Sequence, residues 1–153
     1  MPEITPFLWY DNQAEEAATY YTTVFPNSRV LDVTRGPDGK AFIVNFEVEG
    51  QRVLALNGGP DHPFTENFSF LINCDGQDQV DEYWAKLTDG GEEGPCGWLK
   101  DRFGLSWQVV PSELSKLMSD PDPERAGRVG QSLRTMKKID IQALRDAADG
   151  KPA

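Results

Sequence analysis

The stretch Gly90–Pro111, "GGEEGPCGWLKDRFGLSWQVVP", contains two short apolar runs separated by a turn. The runs "CGWLK" and "LSWQVVP" are rich in residues that favour strands, and Asp101 and Gly104 in the intervening "DRFG" are common turn formers. The pattern therefore predicts a β-hairpin near the end of a sheet, and we assign its turn to hairpin geometry rather than to chemistry.

Strand alternation predicts which side chains of this hairpin share a face. If Gln108 points towards a cavity, Ser106 and Val110 point the same way. Trp107 and Val109 then point towards a covering helix, and we expect both to belong to the core.

The hairpin is the last part of a succession of strands and a helix that occurs twice along the chain. The first occurrence has a strand in "ITPFLWY", a polar cap in "DNQ", a helix in "AEEAATYYTTVF" and strands in "SRVLDVTRG", "KAFIVNFEVEG" and "QRVLALNGG". The second has a strand in "NFSFLINC" and a helix in "DGQDQVDEYWAKLTDGG", followed by the hairpin. Two β-α-β-β-β modules predict an α+β fold in a single domain, with module one at 1–59, a linker at 60–66, module two at 67–111 and a helical C-terminal extension at 112–153.

Charge and cysteine content exclude several classes of partner. The 153 residues include 25 acidic and 15 basic side chains, a formal net charge of -10, so we expect neither nucleic acid nor an anionic membrane as a partner. No window approaches the ~20 apolar residues that cross a bilayer. The two cysteines, Cys74 and Cys96, form no CxxC pair. Reduced thiols and the absence of a leader pattern predict a cytoplasmic protein.

Two stretches carry a resemblance to a known family. "FLWYDNQAEEAATYYTTVFPNS" and "GGEEGPCGWLKDRFGLSWQVVP" resemble the PhnB-like branch of the vicinal oxygen chelate superfamily, which includes glyoxalase I, extradiol dioxygenases and the bleomycin and fosfomycin resistance proteins. The resemblance runs from about Ile4 to Pro111 and into the tail "RVGQSLRTMKKIDIQALRDA". It implies paired modules that form a U-shaped mixed β-sheet cleft, the glyoxalase/bleomycin resistance/dioxygenase fold, within a homodimer.

The resemblance also implies where a catalytic metal would bind. Catalytic members hold a divalent metal with His or Glu side chains from the first and last strands of their modules. Here Gln108 stands where the glutamate is usual, and Phe68 or Asn67 stands where the second module usually has histidine. The other two metal-ligand positions lie on the first and fourth strands of module one. The first is occupied by Ile4 or Pro6 and the second by Asn57 or Ala55.

Such side chains bind zinc, iron or nickel poorly, because these metals prefer imidazole, thiolate or carboxylate ligands. We therefore predict no cofactor and no catalytic metal by the family's usual route.

Trp98 and Lys100 share a parity on the strand before the turn, so an aromatic ring lies beside a cation. This pairing suits an anionic or aromatic small ligand, although a tryptophan at a sheet edge is more often packing. No residue is assigned a catalytic role. The predicted ligand pocket consists of Asn57, Phe68, Phe70, Trp98 and Gln108.

The single histidine and the two cysteines each allow two interpretations. His62 lies beside Asp61 in the linker "NGGPDHPF", where it is either a ligand or general base arriving from a loop or, as we favour, a solvated linker residue. Cys96 is a candidate nucleophile in a bend, but no base accompanies it in sequence, so a buried structural thiol is favoured. Cys74, at the end of an apolar strand, is predicted to be core.

Members of this branch often carry the label 3-demethylubiquinone-9 3-methyltransferase. The chain has no glycine-rich loop for S-adenosylmethionine on a βαβ unit, and it has no P-loop, HExxH or GxSxG motif. We therefore expect no methyl transfer. For the basic helices of the extension, solvated faces with ion pairs are favoured over a lid or a dimer contact.

Two classes of function remain. The favoured one is a binding or sequestering protein that holds a small organic molecule in the sheet cleft without a catalytic metal. The alternative is an enzyme of the glyoxalase or dioxygenase type, a lyase, oxidoreductase or transferase, that acts on a small metabolite.

Overall fold

The computed structural model describes residues 1–152. The chain divides into two compact units between Pro63 and Phe64, which lies inside the linker predicted at 60–66. Over the described residues, none of the helices is both long enough and apolar enough to span a membrane.

The first unit has the predicted β-α-β-β-β order. Its four strands form one mixed sheet in the order β1-β4-β3-β2, in which β1 pairs with β4 in parallel and the other pairs are antiparallel. The elements are β1 (Phe7–Tyr10), α1 (Ala14–Val24), β2 (Ser28–Arg35), β3 (Ala41–Val48) and β4 (Gln51–Asn57).

Helix α1 covers one face of the first sheet. Its apolar residues recur at helical spacing, so one stripe of the helix is buried. The ring of Tyr21 stacks on that of Phe46 from β3, with centroids 6.2 Å apart. Burial of this stripe against the sheet holds the unit together, and the buried residues of α1 are Ala14, Ala17, Ala18, Tyr21 and Val24.

The second unit repeats the arrangement with shorter strands. Its sheet has the order β5-β8-β7-β6, again with a parallel first pair, β5 and β8. Two mixed four-stranded sheets with helices confirm the predicted α+β class. The elements are β5 (Phe70–Cys74), α2 (Gln77–Thr88), β6 (Glu92–Glu93), β7 (Trp98–Lys100) and β8 (Ser106–Pro111).

Alternation along β8 follows the prediction. Trp107 is 3% exposed and Val109 is 0% exposed, on the face covered by α2, whereas Gln108 and Val110 on the other face keep partial exposure. Ser106 shares the parity of Gln108 but is only 1% exposed.

The turn between β7 and β8 is more than a solvated connection. Asp101 is 3% exposed, and its Oδ1 accepts hydrogen bonds from the backbone N–H groups of Phe103 and Leu105, at 2.9 and 3.1 Å. Its Oδ2 accepts the indole N–H of Trp107 at 2.9 Å. One carboxylate therefore fixes both the turn and the orientation of a core tryptophan.

The predicted helical extension belongs to the second unit. Its helices share a small core of Val129, Ile139, Leu144 and Ala148. The extension docks through backbone hydrogen bonds, because the N–H groups of Cys96 and Gly97 donate to the carbonyls of Met136 and Lys137, both at 2.8 Å. The three helices are α3 (Glu113–Met118), α4 (Pro123–Arg134) and α5 (Ile141–Ala148).

Ion pairs on the surface of the extension agree with the favoured interpretation of its basic residues. Arg125 pairs with Asp120 and Asp149, each at 3.0 Å, and Arg145 pairs with Glu113. The hydrogen bonds from Arg145 lower the pKa of the Glu113 carboxyl. These contacts join the ends of the extension to one another.

Candidate functional site

Four side chains from β7 and β8 stand on one face of the second sheet. In the antiparallel register Trp98 is opposite Gln108 and Lys100 is opposite Ser106, and directly paired residues share a face. Leu71 of β5 is in register with Gln108 from the other side. We call this side, which points away from α2, the distal face of the second sheet.

Gln108 lies at the centre of the distal face. Its Nε2 donates to the hydroxyl of Ser69 at 3.0 Å, so the amide is held in one orientation. Within residues 1–152 no hydrogen bond reaches its carbonyl oxygen. The side chain therefore presents an acceptor towards any molecule that lies on this face.

A cavity of about 230 Å³ opens beside these residues. All of its walls come from the second unit, and Trp98, Lys100 and Ser106 of the distal face contribute to them together with Glu66 and Glu92. The cavity therefore combines an aromatic ring, charged groups and a hydroxyl in a small volume.

Lys100 is already paired within this cavity. Its Nζ lies 2.7 Å from a carboxylate oxygen of Glu66. This hydrogen bond lowers the pKa of Glu66, and together with the charges of Glu66 and Glu92 it raises the pKa of Lys100. Both shifts favour the charged forms of Glu66 and Lys100, so the two side chains form an ion pair at neutral pH.

The hydroxyl of Ser106 is buried without a hydrogen-bond partner. It is the one such buried side-chain polar atom in the described part of the chain. Buried hydroxyls almost always have a partner, so an unpaired one at a cavity wall indicates a place where a ligand or water would supply the missing bond. Sequence alternation put Ser106 on this face, but nothing in the sequence indicated its burial.

The structure separates Phe68 and Phe70 from the distal face, unlike the predicted pocket. The ring of Phe70 packs on that of Trp107, with centroids 5.1 Å apart, on the side covered by α2. Phe68 meets Phe70 edge-on at 5.2 Å and stays 45% exposed. Because Leu71 is in register with Gln108, the neighbours of Gln108 from this segment are Ser69 and Leu71.

Asn57 lies in the first unit, and both ends of its side-chain amide make hydrogen bonds to the backbone. Its Oδ1 accepts the backbone N–H of Ala14 at 2.8 Å, and its Nδ2 donates to the carbonyl of Ala41 at 3.0 Å. Gln13, at the N-cap position of α1, makes no side-chain cap. The cap expected from "DNQ" is thus supplied by Asn57 from the far end of the unit.

His62 is exposed, yet it is not a freely solvated side chain. Its ring packs on Trp9, with centroids 4.5 Å apart. The indole N–H of Trp9 donates to the carbonyl of Gly59 at 3.0 Å. These contacts fold the start of the linker onto β1.

The cysteines have structural surroundings. Cys74 is fully buried, and burial raises the pKa of its thiol to about 11. Cys96 is half-buried, adopts a left-handed φ of 58°, and its thiol donates to the carbonyl of Leu133 at 3.6 Å. The burial of Cys74 agrees with its predicted place in the core, whereas Cys96 is only partly buried.

The side chains around Gln108 do not fit a metal. In residues 1–152, His, Cys, Asp and Glu side chains nowhere come together as a group of three that could hold an ion. Ser69, Leu71 and Trp98 around Gln108 offer a hydroxyl, an alkyl group and an indole. None of these is a ligand that zinc or iron prefers.

The two β-α-β-β-β units define the class of protein by its fold, the glyoxalase/bleomycin resistance fold. A fosfomycin resistance protein, FosX from Listeria monocytogenes, solved with Mn(II) and sulfate, is similar with a TM-score of 0.54 at 17% identity, covering 71% of this chain and 89% of its own. A protein from Pseudomonas aeruginosa has a TM-score of 0.61 at 17% identity, covering 72% of this chain and 98% of its own. At these identities the likeness shows the fold.

Residues 2–110 match the family described as 3-demethylubiquinone-9 3-methyltransferase, and the chain belongs to this family. A putative 3-demethylubiquinone-9 3-methyltransferase, PhnB protein, from Bacillus cereus has 26% identity and a TM-score of 0.65 over 72% of this chain and 99% of its own. No curated protein matches the chain. The family match ends before α3, so the helical extension lies outside it.

Proposed function

We propose that the chain binds a small organic molecule on the distal face of its second sheet and does so without a catalytic metal. The observation that carries the proposal is the Trp98–Gln108 pair. The indole ring of Trp98 lines a cavity, and directly opposite it on the same face stands an amide whose carbonyl accepts no hydrogen bond within residues 1–152. An aromatic wall with a few fixed polar groups is the usual make-up of a small-molecule site.

The donor set supports binding rather than metal chemistry. Metal catalysis in this fold would need charged or imidazole ligands near Gln108, and the residues beside it are neutral. Methyl transfer is not part of the proposal, because the chain lacks a glycine-rich loop for the methyl donor. The family match therefore supports the fold of the chain, and we take no reaction from the family's description.

The test is a screen of small organic fragments against chelator-treated protein, followed by two variants. Trp98→Ala and Gln108→Ala should each weaken the binding of confirmed hits about tenfold, the effect expected from loss of an aromatic contact or a hydrogen bond. Gln142→Ala is the matched control, since Gln142 is an exposed amide on α5. Unchanged affinity in both site variants would remove the proposed site.

Metal analysis separates this proposal from the enzyme alternative. Protein purified without added metal or chelator should contain only background amounts of divalent metal. A near-stoichiometric metal would favour an enzyme of the glyoxalase or dioxygenase type. The homodimer expected from the family resemblance remains a prediction, which sedimentation equilibrium checks.

A further inference from the structure

The cavity beside Ser106 points to the chemical class of the ligand. We infer that it is a subsite for the ammonium group of a small organic cation, whose apolar part lies against Trp98. This inference rests on the proposed function, since it assigns a ligand class to the same face. Of the anionic or aromatic ligand that the pairing of Trp98 with Lys100 suggested in the sequence, it keeps an aromatic part as one option and replaces the anionic group with a cation.

The charge of the cavity favours a cation. Glu66 and Glu92 line it against the single ammonium of Lys100. Glu93 also borders the cavity, but it is in register with Leu99 and its carboxylate accepts the indole N–H of Trp84 from α2 at 3.0 Å, so its charge lies on the other face. Two carboxylates against one ammonium leave a negative balance, in a chain that itself carries a net charge of -10.

An anionic ligand would meet two obstacles here. It would have to displace Glu66 from Lys100, where the ion pair already measures 2.7 Å. It would then face the uncompensated charge of Glu92, which is close enough to Lys100 to raise the pKa of that ammonium. A cation meets neither obstacle, because it can be drawn in by the carboxylates while the Glu66–Lys100 pair stays intact.

Ser106 makes the inference specific to this cavity rather than to an acidic surface. Its hydroxyl is buried, faces the distal side opposite Lys100, and has no partner among residues 1–152. A hydroxyl can accept a hydrogen bond from an ammonium N–H. The bound cation would satisfy the polar atom that the folded chain leaves unpaired.

Trp98 supplies the remaining part of the site. It forms the wall of the cavity next to Ser106 and lies two residues from Lys100 on β7. An indole face attracts a nearby ammonium and also packs against an apolar group attached to it. A ligand with an ammonium joined to an aromatic or aliphatic group therefore matches every wall of the cavity.

Three probes that share a phenylethyl group and differ in charge test the inference. They are phenethylammonium, 3-phenylpropionate and 2-phenylethanol, titrated into ¹⁵N-labelled protein at low salt. We expect phenethylammonium to shift the amide signals of Trp98, Lys100 and Ser106. Its affinity should exceed that of 3-phenylpropionate at least tenfold.

Variants then assign the affinity to named groups. Ser106→Ala and Glu92→Gln should each weaken phenethylammonium binding about threefold to tenfold, the range for a lost hydrogen bond or charge contact. Glu82→Gln is the matched control, because Glu82 is an exposed carboxylate on α2. Glu92 is exposed in β6, so its variant tests the inference even if Ser106→Ala fails to fold.

Each other outcome overturns the inference. Tighter binding of 3-phenylpropionate at the same residues would show an anion site and leave the proposed function standing. If other fragments bind at Trp98 and Gln108 while none of the three probes does, the inferred ligand class is wrong and the proposed function stands. Phenethylammonium binding that is unchanged in both Ser106→Ala and Glu92→Gln would show that this cavity does not bind the ammonium group.

Discussion

Trp98 stands directly opposite Gln108 across the β7–β8 ladder, and both side chains lie on the face of the sheet that points away from α2. The residues between and beside them in sequence, Leu99, Trp107 and Val109, fill the core on the other face. The two faces of the hairpin therefore differ in role. The side chains on one face form the core of the unit, and those on the other face include the proposed ligand contacts.

Ser106→Ala should stabilise the folded protein. The hydroxyl is buried without a partner, so its removal relieves a desolvation cost and leaves an apolar methyl group in place. We expect the free energy of unfolding to rise by about 1 kcal/mol, measured by urea denaturation. Ser115→Ala at an exposed position of α3 is the control and should change little. A clear loss of stability in Ser106→Ala would mean that the hydroxyl has a structural partner.

Asp101→Ala should destabilise the second unit strongly. The substitution leaves the N–H groups of Leu105 and Trp107 without their acceptor in a buried region. The expected loss is about 2–4 kcal/mol, because each unsatisfied buried donor costs about 1–3 kcal/mol. Asp89→Ala provides the comparison, since Asp89 pairs with Arg102 on the surface and should cost below about 1 kcal/mol. Equal losses in the two variants would contradict the role given to Asp101.

Gly97→Ala should loosen the contact between the extension and the rest of the second unit. Gly97 has a φ of +85°, and a Cβ there would lie 2.8 Å from both the Cδ1 of Ile139 and the carbonyl oxygen of Val109. We expect a loss of about 3 kcal/mol, from backbone strain and overpacking together.

Gly39→Ala separates the two contributions. Gly39 has a similar φ of +79°, but a Cβ there meets nothing within 4 Å. Its substitution should cost only about 1 kcal/mol of backbone strain. Proteolysis within α4 and α5 should increase in Gly97→Ala and not in Gly39→Ala, and the reverse result would refute the docking contact.

Cys74 should be unreactive in the folded protein. Burial raises its pKa to about 11, so at pH 8 only about one thiol in a thousand is ionised. In a Cys96→Ser variant, iodoacetamide should label Cys74 only after denaturation, as followed by mass spectrometry. Because the folded pKa lies above the unfolded one, the stability linked to this thiol is complete below about pH 8.5 and is lost as the pH rises towards 11. Rapid labelling in the native state at pH 8 would contradict this burial.

Periodicity predicted the order of elements because alternation and helical spacing are local signals. That Trp107 and Val109 share one face of β8 and Gln108 lies on the other follows from strand alternation alone. The register of β5 against β8 does not follow from either strand by itself, and a shift of one residue moves Phe68 and Phe70 to the opposite face. The predicted pocket placed Phe68 by the family's histidine position, and without the register it could not include Ser69 and Leu71.

Contacts between distant residues were the other part that the sequence could not predict. Asn57 caps α1 from 43 residues away, and Glu66 reaches Lys100 from the end of the linker. Neither pairing has a local pattern. The partner of Lys100 is the contact from which we infer a cationic ligand, and it is visible only in the folded chain.

A fragment titration of ¹⁵N-labelled wild-type protein in the presence of a chelator tests the proposed binding site directly. We expect hits that shift the amide signals of Trp98, Lys100, Ser106 and Gln108 together and keep their affinity without metal. Hits that appear only after a divalent metal is added, or that map away from β7 and β8, would contradict the proposed site.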